Sequence, residues 1–198
     1  MYGETMDLPQ SNIPVEAEIK LSMTEVERSS MIARLLELGF KEAATVGQED
    51  YYIEHESSDL GGMNFSRLRN ESGVYTWNRK RHALDANGEK VRLEEARGLS
   101  EEEFNTLLSQ APAEPIIIRK QRSNYTGFIE EWSTTVSLDV VVLNGETKYF
   151  VEVEVMTDVE HGAVVRALCR TWARETLGAT GFESAGYLKQ YLAAHADS

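Results

Sequence analysis

Hydrophobic and polar residues alternate with period two along much of the chain, which predicts β-strands whose two faces meet different surroundings. The clearest case is residues 14–22, PVEAEIKLS, where apolar side chains alternate with Glu16, Glu18 and Lys20. The same pattern predicts further strands at 48–54, 64–70, 74–82, 90–97, 116–125, 129–135, 137–143 and 148–156. Turn-forming residues between the early strands favour an antiparallel meander over this part of the chain.

Helices are predicted before, between and after these strands. Thr24 with Glu27, and Ser100 with Glu103, have the spacing of a capping box, in which side chain and backbone bond reciprocally at a helix start. Apolar residues at helical spacing predict further helices over 159–178 and 184–195. About eight strands with helices around them indicate an α+β protein.

The length of 198 residues is typical of one domain, which we assign to 13–198 after a flexible N-terminal tail at 1–12. A net charge of -13 argues against non-specific binding to nucleic acid or to an anionic membrane, both of which need basic surfaces. The single cysteine, Cys169, excludes an intrachain disulfide. With neither an apolar run of about 18 residues nor a secretory leader, the expected location is the cytoplasm.

Charged residues recur at i and i+2 in several of the predicted strands, so that they share one face. The recurring charged residues are Glu16, Glu18, Lys20, Arg67, Arg69, Arg92, Glu94, Lys120, Arg122, Glu152 and Glu154, with Asp139 alone in an apolar strand. An open sheet with one wet face would accommodate any single pair. If the sheet instead closes into a barrel with its apolar residues outward, these charges converge on a solvated lumen.

The chemistry of such a lumen narrows its ligand. Carboxylates without histidine or cysteine partners form an oxygen site that suits Mg²⁺ or Mn²⁺ rather than zinc. Clustered arginine and lysine side chains beside it would bind a polyanion whose oxygens also reach the metal, and a phosphate chain has this character.

The ordered motifs resemble those of the CYTH, or triphosphate tunnel metalloenzyme, superfamily. VEAEIK resembles its E-x-E-x-K signature, and matching strands follow in order: EDYYIE, SRLRN, VYTWNRK, VRLEE, IRKQR, SLDVV and FVEVEV. SAGYLKQYL resembles the tyrosine-containing C-terminal segment of the family. The resemblance implies an eight-stranded antiparallel β-barrel, the triphosphate tunnel, flanked by α-helices.

The resemblance also assigns roles by position. It implies metal ligands at Glu16, Glu18, Asp139, Glu152 and Glu154 for Mg²⁺ or Mn²⁺. It implies phosphate contacts at Lys20, Arg67, Arg69, Lys80, Arg92, Lys120 and Arg122, with Glu94 lining the tunnel, where it can pair with Arg92. The catalytic residues it implies are Lys20, Glu16 and Glu18, with Lys20 either contacting phosphate or activating the nucleophile.

The function expected from this resemblance is metal-dependent hydrolysis of a phosphoanhydride bond in a small triphosphate. Inorganic tripolyphosphate, a nucleoside triphosphate and thiamine triphosphate all remain open as substrates, and a homodimer is compatible with the family. One alternative is an adenylyl cyclase that forms cyclic AMP and pyrophosphate, although the chain has SNIP where such cyclases often carry a His-Phe pair. Another is a polyphosphate- or nucleotide-binding module without catalysis. The family's L-T-x-K strand here has the form WNRK, which leaves the register of Lys80 to be checked.

Overall fold

A computed structural model of the protein describes residues 15–84, 88, 90–158, 160–178, 181–182 and 185–196, without the side chains of residues 90 and 91. The elements run in the order β1 (Val15–Met23), α1 (Glu25–Glu37), β2 (Lys41–Ser57), β3 (Met63–Glu71), β4 (Val74–Leu84), β5 (Lys90–Leu99), α2 (Glu101–Ser109), β6 (Ile116–Ile129), β7 (Trp132–Leu143), β8 (Glu146–Thr157), α3 (Gly162–Thr176) and α4 (Tyr187–His195). The N-terminal tail predicted at 1–12 lies outside the described residues.

The strands form a closed antiparallel barrel in the order β1-β5-β4-β3-β2-β6-β7-β8. Strands β2 to β5 are a meander, as the turn residues predict, and β1 closes the barrel by pairing with both β5 and β8. Because β1 and β8 pair directly, the first and last strands of the barrel bring their charged motifs side by side. The predicted eight-stranded fold is therefore confirmed.

A large hydrophobic core lies between the outer barrel wall and helices α1 and α3. Ile19 of β1, Val153 of β8 and Leu138 of β7 are almost fully buried there, against Leu35 of α1 and Cys169 of α3. Each of these strand residues alternates with an inward-facing charged neighbour, so burying the apolar face on the outside directs the charged face into the lumen. The free thiol of Cys169 is a core residue, as its position on the apolar side of the helix predicts.

A second, smaller core fills one end of the barrel. Phe150, Val141 and Ile118 project inward from the strands and pack with Tyr187 and Leu188 of α4. The last helix therefore covers this end of the barrel with apolar side chains.

The local signals at helix starts and turns are confirmed. Thr24 and Ser100 both make complete capping boxes with the glutamate three residues on. Asn144 and Gly145 join β7 to β8 with φ values of 55° and 79°, the left-handed pair that a tight hairpin turn requires.

Two strand predictions in the second half of the barrel are wrong in their boundaries. The strands predicted at 129–135 and 137–143 form one strand, β7, and the turn before it is at Glu130, whose φ is 54°. Gly127 does not interrupt β6: an added Cβ there would lie 2.7 Å from ring atoms of Phe40, so the glycine makes room for that ring within a continuous strand. No helix among the described residues is long and apolar enough to cross a membrane.

Candidate active site in the barrel tunnel

The barrel encloses a cavity of about 570 Å³, a volume in the range of small-molecule sites. Every side chain that the sequence assigns to the site lines this cavity, with the exception of Asp139, which lies fully buried behind it. The alternation of the strands thus places one continuous set of charged groups on a common inner surface.

Glutamates from the first and last strands form one wall of the cavity. Glu18 of β1 lies directly opposite Glu154 of β8, and Lys20 lies opposite Glu152. The E-x-E motifs are more than a hundred residues apart in the chain, and the closure of the barrel makes them neighbours. The ammonium of Lys20 lies 2.7 Å from a carboxylate oxygen of Glu152.

Glu16 and Glu154 are a carboxylate pair with opposite pKa shifts. Burial alone would raise the pKa of Glu16, but the adjacent Lys80 and Arg92 cations hold it well below its usual range. Burial and the negative charge of Glu16 raise the pKa of Glu154 to about 8. Ionisation of both carboxylates is therefore unfavourable in the free protein, and either a proton on Glu154 or an added cation would relieve their repulsion.

Asp50 of β2 organises the cations of the opposite wall. Its carboxylate is fully buried and accepts hydrogen bonds from Arg67 at 3.0 Å and from Arg69 at 2.6 and 3.0 Å. The ammonium of Lys120 is 3.8 Å from the same carboxylate. Although burial opposes ionisation, these three cations hold the pKa of Asp50 well below its usual range.

Asp139 of β7 plays the same structural part beside Arg122. It accepts a hydrogen bond of 2.7 Å from the Arg122 Nε and another of 2.7 Å from the Tyr187 hydroxyl. Lys120 lies 3.6 Å from Asp139, so this lysine stands between the two buried aspartates. Burial and the positive charge of Arg122 nevertheless lower the pKa of Lys120 to about 7.

Lys80 and Arg92 reach across to the acidic wall. Lys80 contacts Glu16 and lies 3.3 Å from Glu94, while its neighbour Arg81 pairs with Glu95 on the exposed side of the strand. The register that places Lys80 inside is therefore established. Arg92 pairs with Glu18 at 3.0 Å rather than with Glu94, which contradicts the expected pairing of those two residues.

The carboxylate wall has the donor chemistry of a site for a hard divalent cation. Its ligands are oxygens only, and the repulsion within the Glu16–Glu154 pair favours an added cation. In the described part of the chain, no group of three or more acidic, histidine or cysteine side chains is close enough to hold a metal. Glu16, Glu18 and Glu152 each pair with a lysine or arginine, so metal binding would require them to leave these partners.

Sequence analysis missed the site contribution of Asp50 and gave Tyr187 no role beyond its place in the tyrosine-containing C-terminal segment. Asp50 lies in the EDYYIE motif, and its alternation with outward-facing Glu49 was the signal that could have found it. The ring of Tyr187 lies over the Lys20 ammonium, 3.5 Å from ring centre to nitrogen. No periodicity in the strands predicts this contact, because Tyr187 comes from a helix.

A closed antiparallel barrel with opposed acidic and basic walls in its lumen defines the class of protein. Comparison with family profiles matches the CYTH domain over residues 15–174, and the chain belongs to this family. Comparison with curated protein sequences finds no match.

Solved structures share the fold at low sequence identity. The PH1819 protein from Pyrococcus horikoshii OT3 is 20% identical, with a TM-score of 0.65 over 90% of this chain and 99% of its own. A putative adenylate cyclase from Bacillus halodurans is 16% identical, with a TM-score of 0.58 over 89% of this chain and 97% of its own. A putative adenylyl cyclase from Hippeastrum, described as having a dominant triphosphatase activity, is 15% identical, with a TM-score of 0.59 over 92% and 96%.

Proposed function

We propose that this protein is a divalent-metal-dependent triphosphatase, which hydrolyses a terminal phosphoanhydride bond of a linear triphosphate bound in the tunnel. The observation that carries the proposal is the division of one cavity into a glutamate wall on β1 and β8 and a cationic wall on β3 and β6. CYTH proteins bind triphosphates and depend on divalent metals in general, and the Hippeastrum protein named above has triphosphatase activity, which supports the same proposal.

The phosphate chain would lie against Arg67, Arg69, Lys120 and Arg122, with Lys80, Arg92 and Lys20 around it. The two buried aspartates, Asp50 and Asp139, hold several of these cations in place from behind, so their geometry is set before substrate arrives. The Nε atoms of Arg67 and Arg92 are buried and have no hydrogen-bond acceptor in the described part of the chain. A phosphate oxygen would provide one.

The carboxylates that would hold Mg²⁺ or Mn²⁺ are Glu16, Glu18, Glu152 and Glu154. A bound divalent ion there supplies Lewis acidity and neutralises phosphate charge. Asp139 belongs to the ligand set implied by the resemblance, but its oxygens already accept from Arg122 and Tyr187. We therefore assign it to the orientation of Arg122.

The protein's own cations stabilise the reaction. As a water molecule attacks the terminal phosphorus and the P–O bond breaks, negative charge moves onto the leaving phosphate, and Arg69, Lys120 and Arg122 face that charge. Lys20 lies at the join between the walls, because it contacts Glu152 and packs on the Tyr187 ring. It can contact the phosphate being transferred or help to orient the attacking water with Glu16 and Glu18.

Glutamine variants of two acidic residues test this proposal. Glu18→Gln and Glu154→Gln should each lower Mg²⁺- or Mn²⁺-dependent phosphate release from tripolyphosphate by about 100-fold or more, because each loses a charged metal ligand. Glu131→Gln, at an exposed position in the β6–β7 turn, is the matched control and should retain full activity. Circular dichroism and melting curves confirm folding. Near-normal turnover by both tunnel variants would refute the metal site.

A further inference from the structure

Arg166 differs from every cation of the barrel wall. Each lysine and arginine of the barrel that is proposed to contact phosphate lies within 4.0 Å of a carboxylate. These carboxylates are Asp50, Asp139, Glu16, Glu18 and Glu152. Arg166 lines the same cavity but comes from helix α3, outside the barrel. No hydrogen bond or ion pair joins its guanidinium to any residue in the described ranges, and the side chain remains exposed to solvent.

Arg166 lies on the side of α3 that borders the cavity. Gly162, one turn earlier on α3, also lines the cavity and has no side chain to cover it. Glu18 and Arg92 of the barrel interact electrostatically with Arg166, and Arg170 adds positive charge one turn further along the helix. Although part of the side chain stays exposed, partial desolvation and the charge of Arg170 lower the pKa of the Arg166 guanidinium, so an anion beside it would improve its electrostatic surroundings.

We propose that Arg166 is a substrate-binding residue, which contacts an anionic group of the substrate at the point where the substrate leaves the barrel. Through this contact, Arg166 selects inorganic polyphosphate over triphosphates that have a cationic or neutral end group. This inference rests on the proposed function of the tunnel as a triphosphate site. It adds a residue outside the barrel and a preference among substrates.

The energetic argument distinguishes Arg166 from the barrel cations. A phosphate that binds Lys80 or Arg92 must compete with a glutamate already in place, whereas one that binds Arg166 displaces only water. The planar guanidinium fork can bind two phosphate oxygens at once. Inorganic polyphosphate carries anionic oxygens at both ends, so one end can bind the Arg166 guanidinium whichever way the chain lies in the tunnel.

Triphosphates with an organic end group should bind Arg166 less tightly. Thiamine triphosphate carries a cationic ring at its organic end, which the Arg166 and Arg170 charges repel. A nucleoside triphosphate carries a neutral sugar and base there. Hence the side chain should increase catalytic efficiency with tripolyphosphate and should not increase it with thiamine triphosphate.

The test compares Arg166→Gln with Arg174→Gln. Arg174 lies two turns further along α3, stacks over Phe182 at 5.8 Å and does not line the cavity, so the control removes the same charge from the same helix. For tripolyphosphate, Arg166→Gln should lower kcat/KM about tenfold, mainly through KM, as expected for one charge-assisted contact. With thiamine triphosphate it should leave kcat/KM unchanged or raise it. Arg174→Gln should change neither value, and Arg166→Lys should restore part of the loss.

Three results would overturn the inference. They are identical kinetics for the two glutamine variants, an equal loss with tripolyphosphate and thiamine triphosphate, and a greater loss with ATP than with tripolyphosphate, which would indicate stacking on a base. If the wild-type protein turns over none of these compounds, the hydrolase proposal fails by itself. Calorimetric titration with tripolyphosphate then decides: weaker binding by Arg166→Gln than by Arg174→Gln supports the inference, and equal binding overturns it.

Discussion

The ammonium of Lys20 lies 3.5 Å from the centre of the Tyr187 ring, a contact between the first strand of the barrel and the last helix of the chain. The Tyr187 hydroxyl donates to Asp139, so the same residue touches both a predicted catalytic lysine and a buried aspartate. Helix α4 is therefore part of the site as well as a cover for one end of the barrel.

Two substitutions at Tyr187 separate these roles. Tyr187→Phe keeps the ring over Lys20 and loses one hydrogen bond, so it should cost about 1 kcal/mol of stability and leave turnover within about threefold. Tyr187→Ala removes the ring, should cost about 3–5 kcal/mol and should lower kcat at least tenfold in the protein that remains folded. Urea unfolding and steady-state kinetics measure both. Equal kinetics for the two variants would remove the ring from the site.

Asp50 should be essential to the cationic wall. Asp50→Asn leaves the buried Arg67 and Lys120 and the partly buried Arg69 around a neutral amide, and removal of one partner from such a cluster costs about 3–5 kcal/mol. Glu49→Gln, at the adjacent carboxylate, breaks a largely exposed ion pair with Arg119, and the amide oxygen can still accept from the Tyr51 hydroxyl, so it should cost less than about 1 kcal/mol. The free energy of unfolding in urea gives both values, and similar losses would contradict the role of Asp50.

Tripolyphosphate should partly rescue the Asp50 variant. Its negative charges replace those lost from the cation cluster, and a ligand that binds only the folded state stabilises it. The melting temperature of Asp50→Asn should therefore rise more than that of the wild-type protein when the same saturating tripolyphosphate is added. A smaller rise in the variant would show that the cations no longer bind phosphate.

Polyphosphate affinity should fall as the pH rises above about 7, because burial and Arg122 lower the pKa of Lys120 to that value in the free protein. A bound polyanion favours the protonated amine, so the pKa of Lys120 is higher in the complex and binding takes up a proton. Above the free-state pKa, affinity should fall by up to about tenfold per pH unit.

Calorimetry without metal, in two buffers of different ionisation enthalpy, measures this proton uptake. Lys120→Arg keeps its charge at every pH used, so its proton uptake should be smaller than that of the wild-type protein by the share that Lys120 contributes. At a pH below the free-state pKa of Lys120, the side chain at position 120 is charged in both the wild-type protein and the variant. Measurements at that pH therefore serve as the control. Proton uptake that persists unchanged in Lys120→Arg would assign it to another group.

Metal and triphosphate should strengthen each other's binding. In the free protein Glu16 pairs with Lys80, and Glu152 pairs with Lys20. Metal alone would separate the glutamates from their lysines and leave the lysines unpaired, and triphosphate alone would leave the glutamates unpaired. When both bind, the metal pairs with the glutamates and the phosphates pair with the lysines. The coupling should be about tenfold or more in each direction, and linkage requires the two factors to be equal.

Titration of each ligand in the presence and absence of the other measures this coupling, after correction for metal–polyphosphate complexes in solution. Glu16→Gln weakens the competing ion pair and should reduce the coupling. If metal and tripolyphosphate bind the wild-type protein independently, the proposed exchange of lysine–glutamate pairs for metal and phosphate contacts is contradicted.

The period of the sequence specifies which face of a strand is charged, and that information identified most of the site residues, whereas the closed barrel was implied by the resemblance to a known family. It does not specify which strands become neighbours. The pairing of Glu18 with Glu154 follows from closure of the barrel by β1 and β8. The resemblance to a known family placed both residues in one metal site but did not specify this pairing.

Contacts between different kinds of element were beyond the sequence patterns. Arg166 lies on the polar face of α3, where helical periodicity indicates only solvent exposure, and its place at the cavity depends on how α3 packs on the barrel. The shared position of Lys120 between Asp50 and Asp139 likewise depends on the register of β6 with both its neighbours.

Identification of the products formed from tripolyphosphate and ATP, each incubated with the wild-type protein and Mg²⁺ or Mn²⁺, tests the central claim most directly. A triphosphatase releases orthophosphate with pyrophosphate from the first compound and orthophosphate with ADP from the second. Cyclic AMP and pyrophosphate from ATP, or no product from either compound, would contradict it.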